Sequence, residues 1–256
     1  MTVLTETLDR TIVIRARPAS VFRYFTDTDR WAAWWGAGSS IDAKPGGHLR
    51  IRYPDGTEAV GEVVEISSPR RIVFTYGYAS GDLIPPGGSR VTIDVEPHAD
   101  GTRVALSHQF ADAKMRDQHV QGWRYQLSLF SNVVVDELTG AAADAVDAWF
   151  AAWATADERE RTLALEKIAA PQVSFRDRYS TIDGIAELHA HIGGALRFMP
   201  GVCLQRSGGV RRCQGTVLAD WRATGPGRDG PTTATGTNVF VFDADARIAS
   251  VIGIWN

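Results

Sequence analysis

Chemistry at neutral pH needs a base, a nucleophile, a bound metal or a shaped apolar pocket. This chain offers candidates for the first and the last. Histidine is the base that needs least tuning. His108 and His119 fall in the first half, near Tyr76, Tyr78 and Trp123. They read as polar handles in an aromatic cavity, although His108 lies on an alternating segment that could equally turn it outward. The strongest apolar signal is Trp31, Trp34 and Trp35, three indoles within five residues. Indole is apolar with one N–H that needs a partner, so such a run belongs on a pocket wall or in a core. Trp149, Trp153, Trp221 and Trp255 pose the same alternatives in the second half.

Other chemistries find no motif. His189 and His191 are two apart, so on a helix they do not share a face, and no HExxH accompanies them. No metal is expected. There is no GxxxxGK, no GxGxxG before a helix and no GxSxG, so no cofactor and no serine nucleophile is expected. Cys203 and Cys213 do not form a CxxC pair. They read as free thiols, or as a pair if adjacent strands bring them together.

Composition narrows the classes further. Net charge is −3, with 44% hydrophobic and 22% charged residues over 256 positions. Neither half is strongly charged, which argues against nucleic-acid and membrane partners. The segment Met1–Asp9 lacks the pattern of a signal peptide, and no apolar run reaches the roughly 18 residues of a membrane span. A cytoplasmic location is expected. The length is comfortable for two domains.

The elements that must position these residues follow from pattern. Thr11–Arg17 alternates as a strand, and Pro18-Ala19-Ser20 opens a helix with Ser20 as cap. After the tryptophan run, a meander of strands is expected at His48–Tyr53, Glu58–Ser67, Arg71–Tyr78, Ser89–His98 and Thr102–Phe110. Asp55-Gly56 and Asp100-Gly101 mark hairpins, and 81–88 a loop. Ala113–Glu137 has helical periodicity. Residues 139–143 read as a short domain boundary, separating 1–139 from 143–256. The second half predicts helices at Asp144–Ala156, Thr162–Ala169 and Ile185–Phe198, with a turn at Asp157–Arg161. Strands are predicted at Gln172–Arg176, Val202–Ser207, Val210–Ala223, Thr232–Phe242 and Ile248–Trp255. Turns are placed at Gly208-Gly209 and 225–231 between them. Each half is thus α+β, with a sheet wrapped around helices.

Two families share these motifs. Residues 10–138 resemble the SRPBCC superfamily of START-like, helix-grip domains, nearest the heat-shock-protein ATPase activator homologue type. The matching segments include Arg17-Pro18-Ala19-Ser20-Val21-Phe22, Trp34-Trp35-Gly36, Asp42-Ala43-Lys44-Pro45-Gly46-Gly47, Gly61-Glu62-Val63-Val64-Glu65-Ile66 and Gly122-Trp123. That resemblance implies a helix-grip fold binding hydrophobic small molecules. Residues 143–256 resemble the nuclear transport factor 2-like superfamily in its SnoaL-like branch, through Val173-Ser174-Phe175-Arg176-Asp177, Ile182-Asp183-Gly184, Pro200-Gly201 and the hairpin Phe242–Ile248. That resemblance implies a cone-shaped α+β barrel, and a homodimer through the second domain.

In isomerases of the second type a carboxylate after the first strand acts as base, and by position it falls on Asp177. The paired carbonyl-polarising donors fall on Asn238 and near Trp149, where the family's tyrosine is lost. The competing role for Asp177 is an ion pair with Arg176 or Arg178. Three functions follow as expectations. The first is binding of a hydrophobic, aromatic or polyketide-like molecule in one or both cavities. The second is cofactor-free isomerase or cyclase chemistry with Asp177 as base. The third is a non-catalytic dimerisation or interaction role.

Overall fold

A computed structural model describes residues 3–227 and 230–256. The first two residues, and the centre of the turn expected at 225–231, lie outside the described residues. The chain divides into two compact units, one up to Val135 and one from Asp136. Both are α+β.

The first unit is a seven-stranded antiparallel sheet with helices. In chain order it runs β1 (Glu6–Ile14), α1 (Pro18–Phe22), a 3-10 turn (Arg23–Phe25), α2 (Thr28–Trp35), β2 (Ser40–Ile41), β3 (His48–Arg52), β4 (Glu58–Ser67), β5 (Arg71–Tyr78), β6 (Ser89–His98), β7 (Gly101–Phe110) and α3 (Ala113–Leu138). The strand order is β1-β7-β6-β5-β4-β3-β2. The meander matches its alternation because each strand buries one face, which fixes register. β1 starts five residues earlier than its pattern suggested. Pairing from Glu6 opposite Phe110 to Ile14 opposite Thr102 holds even its polar residues in the ladder. The helix cap expected at Ser20 is also displaced. Arg17 occupies the cap position without a side-chain bond, and Pro18 starts the helix with its fixed φ.

Helix α2 is what places the tryptophans. Asp27 caps it by accepting from the Arg30 N–H at 3.0 Å. Positions 31, 34 and 35 then share one face, and all three indoles are buried. The helix stops at Gly36, whose φ is +129° and where a Cβ would lie 2.3 Å from the Arg52 carbonyl oxygen. Only glycine allows this closure.

The second unit holds α4 (Ala142–Ala152), α5 (Glu158–Ile168), β8 (Ala169–Arg176), β9 (Thr181–Asp183), α6 (Ile185–Phe198), β10 (Cys203–Cys213), β11 (Thr216–Gly227), β12 (Gly230–Phe242) and β13 (Ile248–Trp255). The strand order is β10-β11-β12-β13-β8-β9. β13 and β8 are parallel, so the chain re-enters the sheet beside its last strand.

Two expectations change here. Asp157 opens no turn of its own: it caps α5 by accepting from the Glu160 N–H at 2.8 Å, so the helix begins at Glu158. Gly208-Gly209 makes no hairpin either. β10 runs straight through it as a bulge, with the register against β11 shifting between Ser207 and Arg211. The reversal comes at Gln214-Gly215, both with positive φ. The two cysteines therefore end one strand, about 30 Å apart by strand rise, and both are exposed free thiols. Among the described residues no helix is long and apolar enough to cross a membrane.

Candidate functional site

The first unit carries an open cavity of about 750 Å³. Helix α2 and its cap supply Trp34, Trp35 and Gly36. The β3–β4 turn supplies Tyr53 and Asp55, and β5 supplies Tyr76 and Tyr78. His108 enters from β7, and α3 presents Gln118, His119, Gly122, Trp123, Gln126 and Leu129. The α3 positions recur at three- and four-residue steps, which turns one stripe of the helix onto the cavity. Seven sequence-predicted residues thus meet here: Trp34, Trp35, Tyr76, Tyr78, His108, His119 and Trp123.

Trp31 does not reach the wall. Its ring packs edge-on to Trp34 at 5.5 Å and to Phe74 at 5.8 Å, and its Nε1–H donates to the Arg50 carbonyl at 3.3 Å. It supports the two indoles that line the cavity. Tyr53 and Gln126 were missed by sequence reasoning. Tyr53 sits at the base of a turn whose Asp-Gly signal speaks only of backbone. Gln126 is a polar residue on an apolar stripe, which is a usable signal: its Nε2 donates to the Trp34 carbonyl and ties α3 to α2.

The polar groups at the floor form a directed chain. Trp123 Nε1–H donates to His108 Nδ1 at 2.9 Å. Indole can only donate, so Nδ1 is unprotonated and the proton sits on Nε2. Nε2 then donates to Ser89 Oγ at 2.9 Å, and Ser89 donates to the Tyr76 carbonyl at 2.9 Å. His108 is fully buried. Burial, with His119 nearby, holds it well below the usual histidine range, hence neutral. His108 therefore points inward, the alternative that its alternation left open.

Above this floor the Tyr53 and Tyr76 hydroxyls lie 3.0 Å apart. Burial pushes Tyr53 up to about 12 and Tyr76 higher still, so both remain O–H groups at neutral pH. The Tyr78 hydroxyl reaches His119 Nε2 at 3.4 Å. The cavity is an aromatic box with the neutral His108, Tyr53 and Tyr76 at its polar positions, and the carboxylates of Asp55 and Asp82 also line it.

In the second unit Asp177 and Asn238 flank Gly253. A Cβ there would lie 3.3 Å from Asp177 Cβ and 3.2 Å from Asn238 Oδ1. Asn238 is buried and Asp177 half-buried. One Asp177 oxygen accepts from the Tyr179 N–H at 2.8 Å and the other from Trp255 Nε1–H at 3.3 Å. The flanking arginines point elsewhere: Arg176 pairs with Asp183 at 2.8 Å, and Arg178 lies over the Tyr179 ring. Trp149 and Trp221 belong to the packed core, with Trp153 and Trp255 against it. Trp149 packs tilted against Phe175 and edge-on to Phe240, each at 6.0 Å. Among the described residues no three His, Cys, Asp or Glu side chains group as a metal site would require.

Solved structures match about half of this chain each. A protein described as a candidate isomerase of the SnoaL-like family from Agrobacterium tumefaciens is 22% identical over 47% of this chain and 98% of its own, with a TM-score of 0.41. Protein Ms6760 from Mycobacterium smegmatis is 21% identical over 49% and 88%, with a TM-score of 0.42. MLL2253 from Mesorhizobium loti is 19% identical over 52% and 98%, with a TM-score of 0.44. No curated protein matches the chain at a significant level. Residues 15–134 match the model of the family described as Activator of Hsp90 ATPase homolog 1-like protein, the family type that the motifs of the first half resemble.

Proposed function

We infer that the first unit binds an apolar, aromatic small molecule in its cavity. The observation that carries this is the cavity itself: about 750 Å³, ringed by Trp34, Trp35, Tyr53, Tyr76, Tyr78 and Trp123. That volume lies within the range of roughly 300–1,000 Å³ typical of ligand sites, and the lining is the usual apolar wall with a few polar groups.

Gly122 provides a clean test. It lines the cavity from α3, and a Cβ there would meet nothing within 4 Å. Gly122→Leu is expected to fill the space without a clash and to hold or raise thermal stability, since glycine is a poor helix residue. Affinity for flat aromatic probes, read by calorimetric titration of the full chain, is expected to fall at least about tenfold, or 1.4 kcal/mol. Unchanged affinity would place the binding surface elsewhere.

The second unit reads as a self-association module. Ile252 and Ile254 are 50% and 52% exposed on β13. Val239 lies opposite Ile252 and Leu218 opposite Val239, so one apolar stripe crosses three strands on the outer face. The occupant inferred is a second copy of this chain. Ile252→Asp together with Ile254→Asp is expected to convert a dimer to a monomer in sedimentation velocity without loss of helicity. A wild-type monomer at tens of micromolar would overturn this reading. The isomerase alternative rests on the nearness of Asp177 to Asn238, and it must contend with two N–H donors already on the carboxylate.

A further inference from the structure

His119 lines the cavity and carries a nitrogen that only one long contact engages. The residue follows Met115 by one helical turn, and its Nδ1 lies 2.7 Å from the Met115 carbonyl oxygen. A carbonyl only accepts, so the proton is on Nδ1 and the lone pair of the neutral ring is on Nε2. This is the orientation that a third group imposes on the base in nucleophile–base pairs. Nε2 has the Tyr78 hydroxyl at 3.4 Å, a long contact that a ligand can displace or tighten.

The groups around it sharpen the assignment. His108 on β7, 5.5 Å away ring to ring, is committed at both nitrogens to Trp123 and Ser89. Phe110 on the same strand lies against His119 at 5.0 Å. From β5, Tyr76 and Tyr78 face it, their rings 6.0 and 6.2 Å from the imidazole. Burial lowers His119 from the ordinary histidine range, with the Met115 bond opposing. The ring therefore stays neutral where it would have to act. On the same wall the Tyr53 and Tyr76 hydroxyls are hydrogen-bonded to each other, so the pair keeps one O–H to donate to a ligand.

We propose that the first-unit cavity is a proton-transfer site, with His119 Nε2 as general base toward a carbonyl-bearing aromatic ligand and the hydrogen-bonded Tyr53–Tyr76 hydroxyl pair as the donor to its oxygen. The proposal rests on the ligand-binding reading above. In the step, a C–H bond beside the carbonyl breaks and its proton passes to Nε2. The electron pair becomes the carbon–carbon double bond of an enolate, and the carbonyl oxygen takes the charge within reach of the phenol donor. Where the ligand carries a further carbon–carbon double bond conjugated with this enolate, return of the proton to the far carbon of the dienolate shifts the double bond and completes an isomerisation. No oxidant or cofactor is consumed.

The test uses the full chain and two probes of one shape. 5-Nitrobenzisoxazole opens when a base removes its ring C–H and the N–O bond breaks, releasing a coloured phenolate. 5-Nitroindazole has the same outline without the scissile bond and reports binding alone. Wild type is expected to open the first probe with saturation, at least roughly tenfold faster than His119→Phe. The rate should be flat near neutrality and fall in acid below the ordinary histidine range. His98→Gln, at an exposed histidine outside the cavity, should leave it unchanged. His119→Gln, polar but without a basic nitrogen, repeats the comparison if the Phe variant binds nitroindazole poorly. Binding of nitroindazole with equal rates in wild type and both variants would overturn the proton-transfer proposal and leave the binding reading standing. No binding of nitroindazole to wild type would overturn both.

Discussion

Trp34→Ala is expected to cost the first unit about 3–5 kcal/mol, the range for removing a large buried aromatic. Trp34 is fully buried. Its ring lies 4.3 Å from Trp35, 4.7 Å from Phe130, 5.5 Å from Trp31 and 6.0 Å from Phe25. Four aromatic neighbours lose their packing partner at once, and α2 and α3 lose their shared filler. A domain of this size is stable by roughly 5–15 kcal/mol, so the change consumes a large share. Trp34→Phe should cost much less. The indole N–H is buried without a hydrogen-bond partner, and phenylalanine removes that liability along with some volume. Urea denaturation of the two variants, followed by circular dichroism, checks the order. Equal losses would show that the N–H, and not the ring volume, has been misjudged.

Acid is expected to loosen the first unit from just below pH 6.5, and His108 is the principal cause. Its folded pKa is depressed by burial, while in the unfolded chain it titrates near the ordinary value of about 6.5. Above that pH both states carry a neutral ring and stability is full. Below it the unfolded chain binds a proton that the folded one refuses. Stability then falls by up to about 1.4 kcal/mol per pH unit until the folded group titrates as well. His119, also depressed, acts in the same direction. Denaturation midpoints at pH 7.5 and 5.5 should therefore separate clearly. In His108→Leu the separation should shrink, while stability at pH 7.5 drops by about 2–4 kcal/mol. That loss reflects the Trp123 N–H and Ser89 hydroxyl left without their partner. An unchanged pH dependence in the variant would assign the acid sensitivity to another group.

The architecture was legible where chemistry is local. Alternation and the two Asp-Gly pairs gave the first meander, with β4, β5 and β6 matching to the residue. Gly208-Gly209 misled because two glycines suit a bulge as well as a turn, and only pairing with β11 decides between them. The candidate site was half visible. Residues 31, 34 and 35 share a helix face, so sequence could not tell that Trp31 packs beneath while its neighbours line the cavity. The direction of the His108 protons depends on Trp123, fifteen residues away on another element. Which nitrogen of His119 keeps its lone pair depends on where Met115 directs its carbonyl. Neither is written in spacing.

Most of the cavity wall stands on helices and strands: α2, β5, β7 and the stripe of α3. The exceptions are the turn through Tyr53, Pro54, Asp55 and Thr57 and the loop holding Ser80, Asp82 and Leu83. Leu83 is 56% exposed and has a φ of 62°, a backbone setting that leucine rarely adopts. The regular scaffold and the turn and loop that complete the wall are thus encoded in separate stretches of the chain. Grafting a different turn at 53–57 and a different loop at 79–88 would alter which molecules are admitted, while the floor of His108, Ser89 and Trp123 stayed as it is. If the cavity binds as proposed, that separation makes ligand preference a quick-changing trait carried on a slow-changing frame.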